Sequence, residues 1–205
     1  GGQIAGHEDA DVATALQQLL EGEGIEFRLN TRIARVEPAN GHFAVRLAES
    51  DRDSIEATHL FVATGRRPNT DDLGLETVGV TLSTQGFIAV DNRLATNVNG
   101  IWAAGDVRGG PMFTHTAWDD YRVLQSQLLG DGSRTTERIV PYAVFTDPEL
   151  GRVGLTESAA RQAGRSIKTA RFEMRRNGKA VEIGETAGFV KVVVDAGTDR
   201  LLGAA

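Results

Sequence analysis

Hydrophobic positions along the chain change period several times. In HEDADVATALQQLLEGEG (7–24), Val12, Leu16, Leu19 and Leu20 recur at helical spacing. Acidic residues crowd the start and glycines follow the end, as the helix dipole favours, so the pattern predicts a helix here. IEFRL (25–29), TRIARVE (31–37), HFAVRL (42–47) and SIEATHLFVAT (54–64) read as strands, with Ala39-Asn40-Gly41 as a hairpin turn. The last of these is a near-continuous apolar run, the pattern of a central strand buried on both faces.

Further on, GFIAV (86–90) and GIWAAG (100–105) read as strands and Thr114 to Leu129 as a helix. Ala117, Tyr121, Leu124 and Leu128 would form its apolar stripe, and Gly130 follows its end. GDGSRTTER (130–138) is polar and reads as a linker. After VPYAVFTDPELGRVG (140–154) the pattern predicts a helix over 156–164 with Thr156 as its cap. Strands follow at 168–174, 188–195 and 200–205, the last two joined by Ala196-Gly197-Thr198. Three segments result, 1–64, 65–137 and 138–205, the third a strand-dominated α+β unit with no nucleotide motif. The last strand runs to the final residue, where a domain boundary rarely falls. The expectation is therefore a piece of a larger protein, also because no first βαβ unit precedes the opening helix.

Composition narrows the field. The chain has 205 residues, 40% hydrophobic and 24% charged, which is ordinary for a water-exposed globular protein. Glycine stands out at 24 residues, which suits tight turns and loops that approach a nucleotide closely. The net charge of −6 offers no electrostatic footprint for nucleic acid. No apolar run is long enough to span a membrane and no signal peptide opens the chain, so a cytoplasmic setting is expected. With no cysteine, the chain itself holds no disulfide, thiolate metal site or cysteine nucleophile.

Candidate chemistry concentrates in IWAAGDVRGGPMFTHTAW (101–118). A strand ending in Gly105-Asp106 would set a carboxylate at a carboxyl edge, where open α/β architectures bind ligands. Gly105 allows close approach, and Asp106 could accept charge-assisted hydrogen bonds from ligand hydroxyls. Thr114 could cap the next helix and leave its free N–H groups facing the same space, a setting that favours negative charge. A polyol bearing an electron-accepting ring, such as a flavin, suits that pair. On these residues alone a second reading stands beside it, in which Asp106 caps a turn and Thr114 caps a helix.

ATGRRPNT (63–70) followed by ATNVNGIWAAGDV (95–107) resembles the two-dinucleotide flavoprotein disulfide reductases, the pyridine nucleotide-disulfide oxidoreductase family. YAVFTDPELGRVGLTESAARQAG (142–164) and GETAGFVKVVVDAGTDRLLGAA (184–205) resemble that family's dimerisation domain. The resemblance implies an α/β fold of partial FAD- and NAD(P)-binding Rossmann-like lobes, followed by an α+β dimerisation domain. On its terms, 1–64 ends the NAD(P) domain, 65–137 ends the FAD domain, and 138–205 forms a homodimer interface. It implies that Asp106, beside Gly105, holds the ribityl hydroxyls of FAD, and that Met112, Phe113, Thr114 and His115 face its ring system. Gly65 would be a backbone position beside the nicotinamide nucleotide, NAD(P)H. Ile33 would lie near its adenine end, against the alternative of a plain core strand residue. Trp102 and Val192 to Val194 read as core. Arg66 and Arg67 are open between cofactor phosphates and ordinary surface.

Family enzymes relay hydride from NAD(P)H through flavin to a Cys-x4-Cys disulfide, with a histidine near the carboxyl terminus as acid and base. This chain has no cysteine, no Gly-x-Gly-x-x-Gly and no histidine after His115, so the resemblance implies no catalytic residue and no metal ligand within it. HTAWDDYRVL (115–124) departs from the usual Glu-Gly after the flavin turn and resembles most the mercuric-reductase-like branch. The expected parent is a disulfide or metal-ion reductase. The alternative for the chain itself is a non-catalytic self-association module.

Overall fold

The computed structural model describes residues 1–48 and 50–205, and of residues 50–53 the backbone alone. In chain order the elements are α1 (Ala10–Gly22), β1 (Ile33–Ala39), β2 (His42–Leu47), β3 (Ser50–Ala57), α2 (Leu75–Val78) and α3 (Thr114–Leu129). Then come β4 (Tyr142–Val144), β5 (Leu150–Gly154), α4 (Glu157–Gln162), β6 (Ile167–Glu173), α5 (Gly178–Ile183), β7 (Phe189–Asp195) and β8 (Leu201–Ala204). They fall into two compact units, residues 1–62 with 141–205, and residues 63–140.

In the first unit β1, β2 and β3 form an antiparallel meander. Asn40 and Gly41 both take positive φ (47° and 83°) between Ala39 and His42, the primed turn whose twist matches a hairpin. A five-stranded sheet of order β4-β5-β8-β7-β6 makes the rest. β5 and β8 approach so closely that a Cβ on Gly154 would collide with the Leu202 oxygen, and one on Gly203 with the Leu155 oxygen. Only glycine fits there. Thr156 caps α4 as expected, its hydroxyl accepting from the Ala159 N–H.

Lys191 and Val193 share the inner face of β7, and both are buried. An ammonium there needs partners. Asp11 and Glu157 each approach it at 2.9 Å and Asp9 at 3.3 Å. The acidic start of α1 therefore does more than match its own dipole. Asp9 accepts the Glu157 and Ser158 N–H groups of α4, and Glu8 binds Arg152 and the Tyr142 hydroxyl. Val12, Ala13 and Leu16 bury the apolar side of α1.

Two strand expectations fail here. Residues 25–29 form no strand, and in the run 54–64 pairing ends at Ala57. Phe61 is 91% exposed, far from a strand covered on both faces. Extended chain becomes strand only by pairing, and among the described residues no strand flanks either stretch.

The second unit has little regular structure. Val80, Ile88 and Ala103 centre its core, with Leu75, Val90, Val98, Ile101 and Val107 against them. The expected strands at 86–90 and 100–105 reduce to single bridges, Leu82 with Ile88 and Ala95 with Trp102. Alternation turns Ala103 inward and leaves Trp102 37% exposed, so Trp102 is not core. Helix α3 has the expected limits, but its buried face is Thr116, Asp120 and Val123, whereas Tyr121 and Leu128 are exposed. Nor is 130–138 a free linker. Gln127 donates to the Gly132 and Arg134 carbonyls, Asn92 to Glu137, and Arg138 to Asp119 and Asp120.

Candidate cofactor site

Gly105, at φ 72°, opens a single 3-10 turn, Gly105–Arg108, that carries Asp106. The Asp106 side chain is 55% exposed, more open to water than a buried strand end would leave it. Its Oδ2 receives Arg66 Nη1 at 3.3 Å, and the same nitrogen donates to the Met112 carbonyl at 3.2 Å. Among the described residues Oδ1 has no hydrogen-bond partner. Arg66 thus ties the 63–70 loop to the turn, a role the sequence left open. Arg67 instead pairs with Asp71.

Met112 and Phe113 are half-buried, and Thr114 and His115 are exposed at the start of α3. The Phe113 and His115 rings stack, centroids 5.3 Å apart. Thr114 is not the cap: Phe113 holds the capping position, and Thr116 does the work of a capping side chain. Its hydroxyl oxygen accepts the Phe113 N–H at 3.2 Å, and its one proton is shared between the Pro111 and Phe113 carbonyls, each at 2.7 Å. A helix start leaves its first N–H groups without intrahelical acceptors. Gly65 takes φ 122°, a conformation that favours glycine, although a Cβ there would meet nothing within 4 Å. These residues share the second unit. Ile33 belongs to the first, where it opens β1 at 60% exposure, which removes its reading as a core residue.

Beneath the turn lies a group the sequence did not single out as a site. Asp120 is fully buried, accepts the Gly105 N–H at 2.8 Å on Oδ2, and takes both Nε (2.6 Å) and Nη2 (2.9 Å) of Arg108. Arg138 adds a bond to Oδ1 at 2.6 Å. Burial pushes the Asp120 carboxyl up, but the bonds from Arg108, Arg138 and Gly105 outweigh it and hold it below the usual carboxylate range. The one available signal was a carboxylate in helical register with Thr116 and Val123.

An acceptor oxygen open to ligand hydroxyls, a glycine turn admitting close approach and an open helix start fit the ribityl and ring portion of a flavin. A separate, mostly apolar groove of about 900 Å³ in the first unit, lined by Val12, Leu16, Leu19, Tyr142 and Phe189 among others, contains none of these residues. Among the described residues no group of His, Cys, Asp and Glu is arranged to hold a metal ion, and no helix is long and apolar enough to cross a membrane.

A carboxylate-bearing glycine turn before a long helix thus stands in one chain with an antiparallel α+β module. The family model of the pyridine nucleotide-disulphide oxidoreductases matches residues 2–120, and that of their dimerisation domain matches residues 140–205. The chain belongs to this family, whose members are FAD-dependent and use NAD(P)H. It is 37% identical to the probable pyridine nucleotide-disulfide oxidoreductase RclA of Escherichia coli over 96% of its own length and 44% of that protein's. It is likewise 37% identical to a dihydrolipoyl dehydrogenase of Cupriavidus necator, over 97% of this chain and 42% of the relative. Among solved structures, the Cu(II) complex of the HOCl-induced flavoprotein disulfide reductase RclA from E. coli superposes with a TM-score of 0.91 at 35% identity, over 100% of this chain and 46% of that one. LpdA from Mycobacterium tuberculosis gives 0.87 at 29% identity, over 96% of this chain and 43% of that one. The chain spans less than half the length of these relatives.

Proposed function

We propose that the chain is the carboxyl-terminal part of an FAD-dependent oxidoreductase that draws hydride from NAD(P)H and reduces a disulfide or metal-ion substrate. The flavin, when bound, supplies the two-electron relay between the nicotinamide and a redox disulfide. The observation that carries the reading is the half-exposed Asp106 carboxylate on its glycine turn, with Oδ1 open to a ligand. Asp106 holds ribityl hydroxyls through charge-assisted hydrogen bonds, with Gly105 giving the room. Met112, Phe113, Thr114 and His115 border the ring system, Gly65 the nicotinamide nucleotide and Ile33 the adenine end of that nucleotide. Residues 1–64, 65–137 and 138–205 act as NAD(P), FAD and dimerisation portions, the last joining two copies. A cytoplasmic location fits this reading. With no cysteine, the 205-residue chain alone performs no thiol exchange, so no NAD(P)H-dependent disulfide or metal-ion reductase activity is expected of it.

The test is FAD retention by the full-length protein. Asp106→Ala should weaken it by roughly 30- to 150-fold, equivalent to about 2–3 kcal/mol for a lost charged hydrogen-bond partner. Asp106→Asn keeps the shape and should weaken it less. Wild-type affinity in Asp106→Ala would sink the ribityl assignment. A flavin absorbance band in the purified chain would set the cofactor reading above that of a self-association module.

A further inference from the structure

We infer that Asp120 is the positioning residue of the flavin site: from within α3 it fixes the turn that presents Asp106. This rests on the ribityl reading of Asp106 given above. The Asp120 carboxylate holds both ends of the four-residue turn. It takes the backbone N–H of Gly105, the first residue, and two side-chain nitrogens of Arg108, the last. Asp106 sits between two points tied to one buried carboxylate. Moving it breaks those bonds.

The contact that Asp106 itself makes is too weak to do the same. Arg66 reaches it at 3.3 Å with side chains 65% and 55% exposed, and exposed pairs of this kind contribute little. The side chains of Asp120 and Arg108 are 1% and 12% exposed, and their bonds are short and forked. Apolar residues could fill such a place with no loss of stability. A forked ion pair adds fixed direction, which a site needing a carboxylate in one orientation requires. Arg138 bridges Asp120 to Asp119, which Arg122 also reaches at 3.9 Å, so the carboxylate that holds the turn is itself held in a wider ion-pair cluster.

The experiment is a double-mutant cycle in the flavin-loaded full-length protein, with FAD dissociation and the visible circular dichroism of bound flavin as readouts. Asp120→Asn should weaken FAD retention about ten- to a hundredfold, the range for losing a partner that orients a binding group. It should also alter the flavin dichroism well below the melting temperature, which a purely stabilising role would not do. In an Asp106→Ala background the same change should have no further effect on affinity, because Asp120 acts through Asp106. If Asp120→Asn does not fold, Arg108→Lys takes its place, since an ammonium cannot make the fork while Asp120 keeps Gly105 and Arg138. Full affinity and unchanged dichroism in the folded variant, or effects that add to those of Asp106→Ala, overturn the positioning role and leave the ribityl reading standing. An Asp106→Ala protein that itself keeps its FAD overturns that reading instead.

Discussion

In the first unit Arg152 and Lys191 collect carboxylates from the start of α1, across sequence separations of 144 and 180 residues. In the second unit Asp120 collects Gly105, Arg108 and Arg138 across separations of 15, 12 and 18. In the first assembly the cations are sealed, with Arg152 2% and Lys191 5% exposed, as is Glu8 at 2%, while Asp11 and Glu157 keep 37% and 27% of their side chains in water. In the second, only the anion is sealed, while Arg108 and Arg138 keep 12% and 16% of their side chains in water. The network centred on sealed cations closes a long stretch of chain within one unit. The anion-centred one shapes a single turn. Burial of charge is common to both, and what differs is which partner could return to solvent if the network broke.

The largest expected effects separate the two directly. Glu8→Ala removes the carboxylate that binds Arg152 and the Tyr142 hydroxyl, and should destabilise the first unit by about 3–5 kcal/mol, as loss of one partner of a buried pair does. Asp120→Ala leaves arginines that can turn outward and should cost less, about 2–3 kcal/mol, mostly for unpaired polar groups. Hydrogen exchange across α1 and α3 reads each unit separately, and Trp102 and Trp118 both report on the second. Equal losses would refute the role assigned to solvent access.

Acid and alkali sharpen the contrast next. In the first unit burial raises the Asp9 carboxyl, but the Ser158 and Glu157 N–H groups and Lys191 bring it below its usual value, and hydrogen bonds from Lys191 and Arg161 lower Glu157. Asp120 is lowered in the second. Depressed carboxyls give stability that is present above their unfolded pKa of about 4 and lost as pH falls through the folded value, so both units should weaken below about pH 4. The alkaline limb belongs to the first cluster. Burial and the hydrogen bond to Glu8 push Tyr142 up to about 12, and Lys191 is raised because its carboxylates outweigh burial. Raised groups give stability present below their unfolded pKa, about 10 for tyrosine, and lost as pH rises through the folded one. Urea midpoints followed by far-UV dichroism should therefore fall above about pH 10, while those followed by tryptophan fluorescence hold. Tyr142→Phe should flatten part of that fall; an unchanged profile would remove Tyr142 from the account.

The smallest effect distinguishes two neighbours in α3. Thr116→Val removes the hydroxyl that serves Phe113 and Pro111, and should cost about 1–2 kcal/mol. Thr114→Ala, at an exposed first helical position, should stay within about 0.5 kcal/mol. Thermal melts of the two variants suffice. The reverse order would restore Thr114 as the cap.

By itself the sequence determined the elements whose signals are local. The α3 limits, the Ala39-Asn40-Gly41 turn, the Thr156 cap and strands β6 to β8 all follow from nearest-neighbour preferences and periodicity. The residues around Asp106 carried the family resemblance with their flanking motifs, but the strand end read there is a 3-10 turn with an exposed carboxylate. Tertiary structure alone decided which polar residues lie inside. Asp120, Lys191 and Arg152 look like surface charges in one dimension, since each is buried only because partners elsewhere in the chain neutralise it. It also decided that 25–29 and 58–64 do not pair, and that α3 buries Thr116, Asp120 and Val123 while Tyr121 stays outside. Pairing and burial depend on neighbours that hydrophobic period cannot name, and a charged residue is sorted inward only by the geometry of its counter-ions.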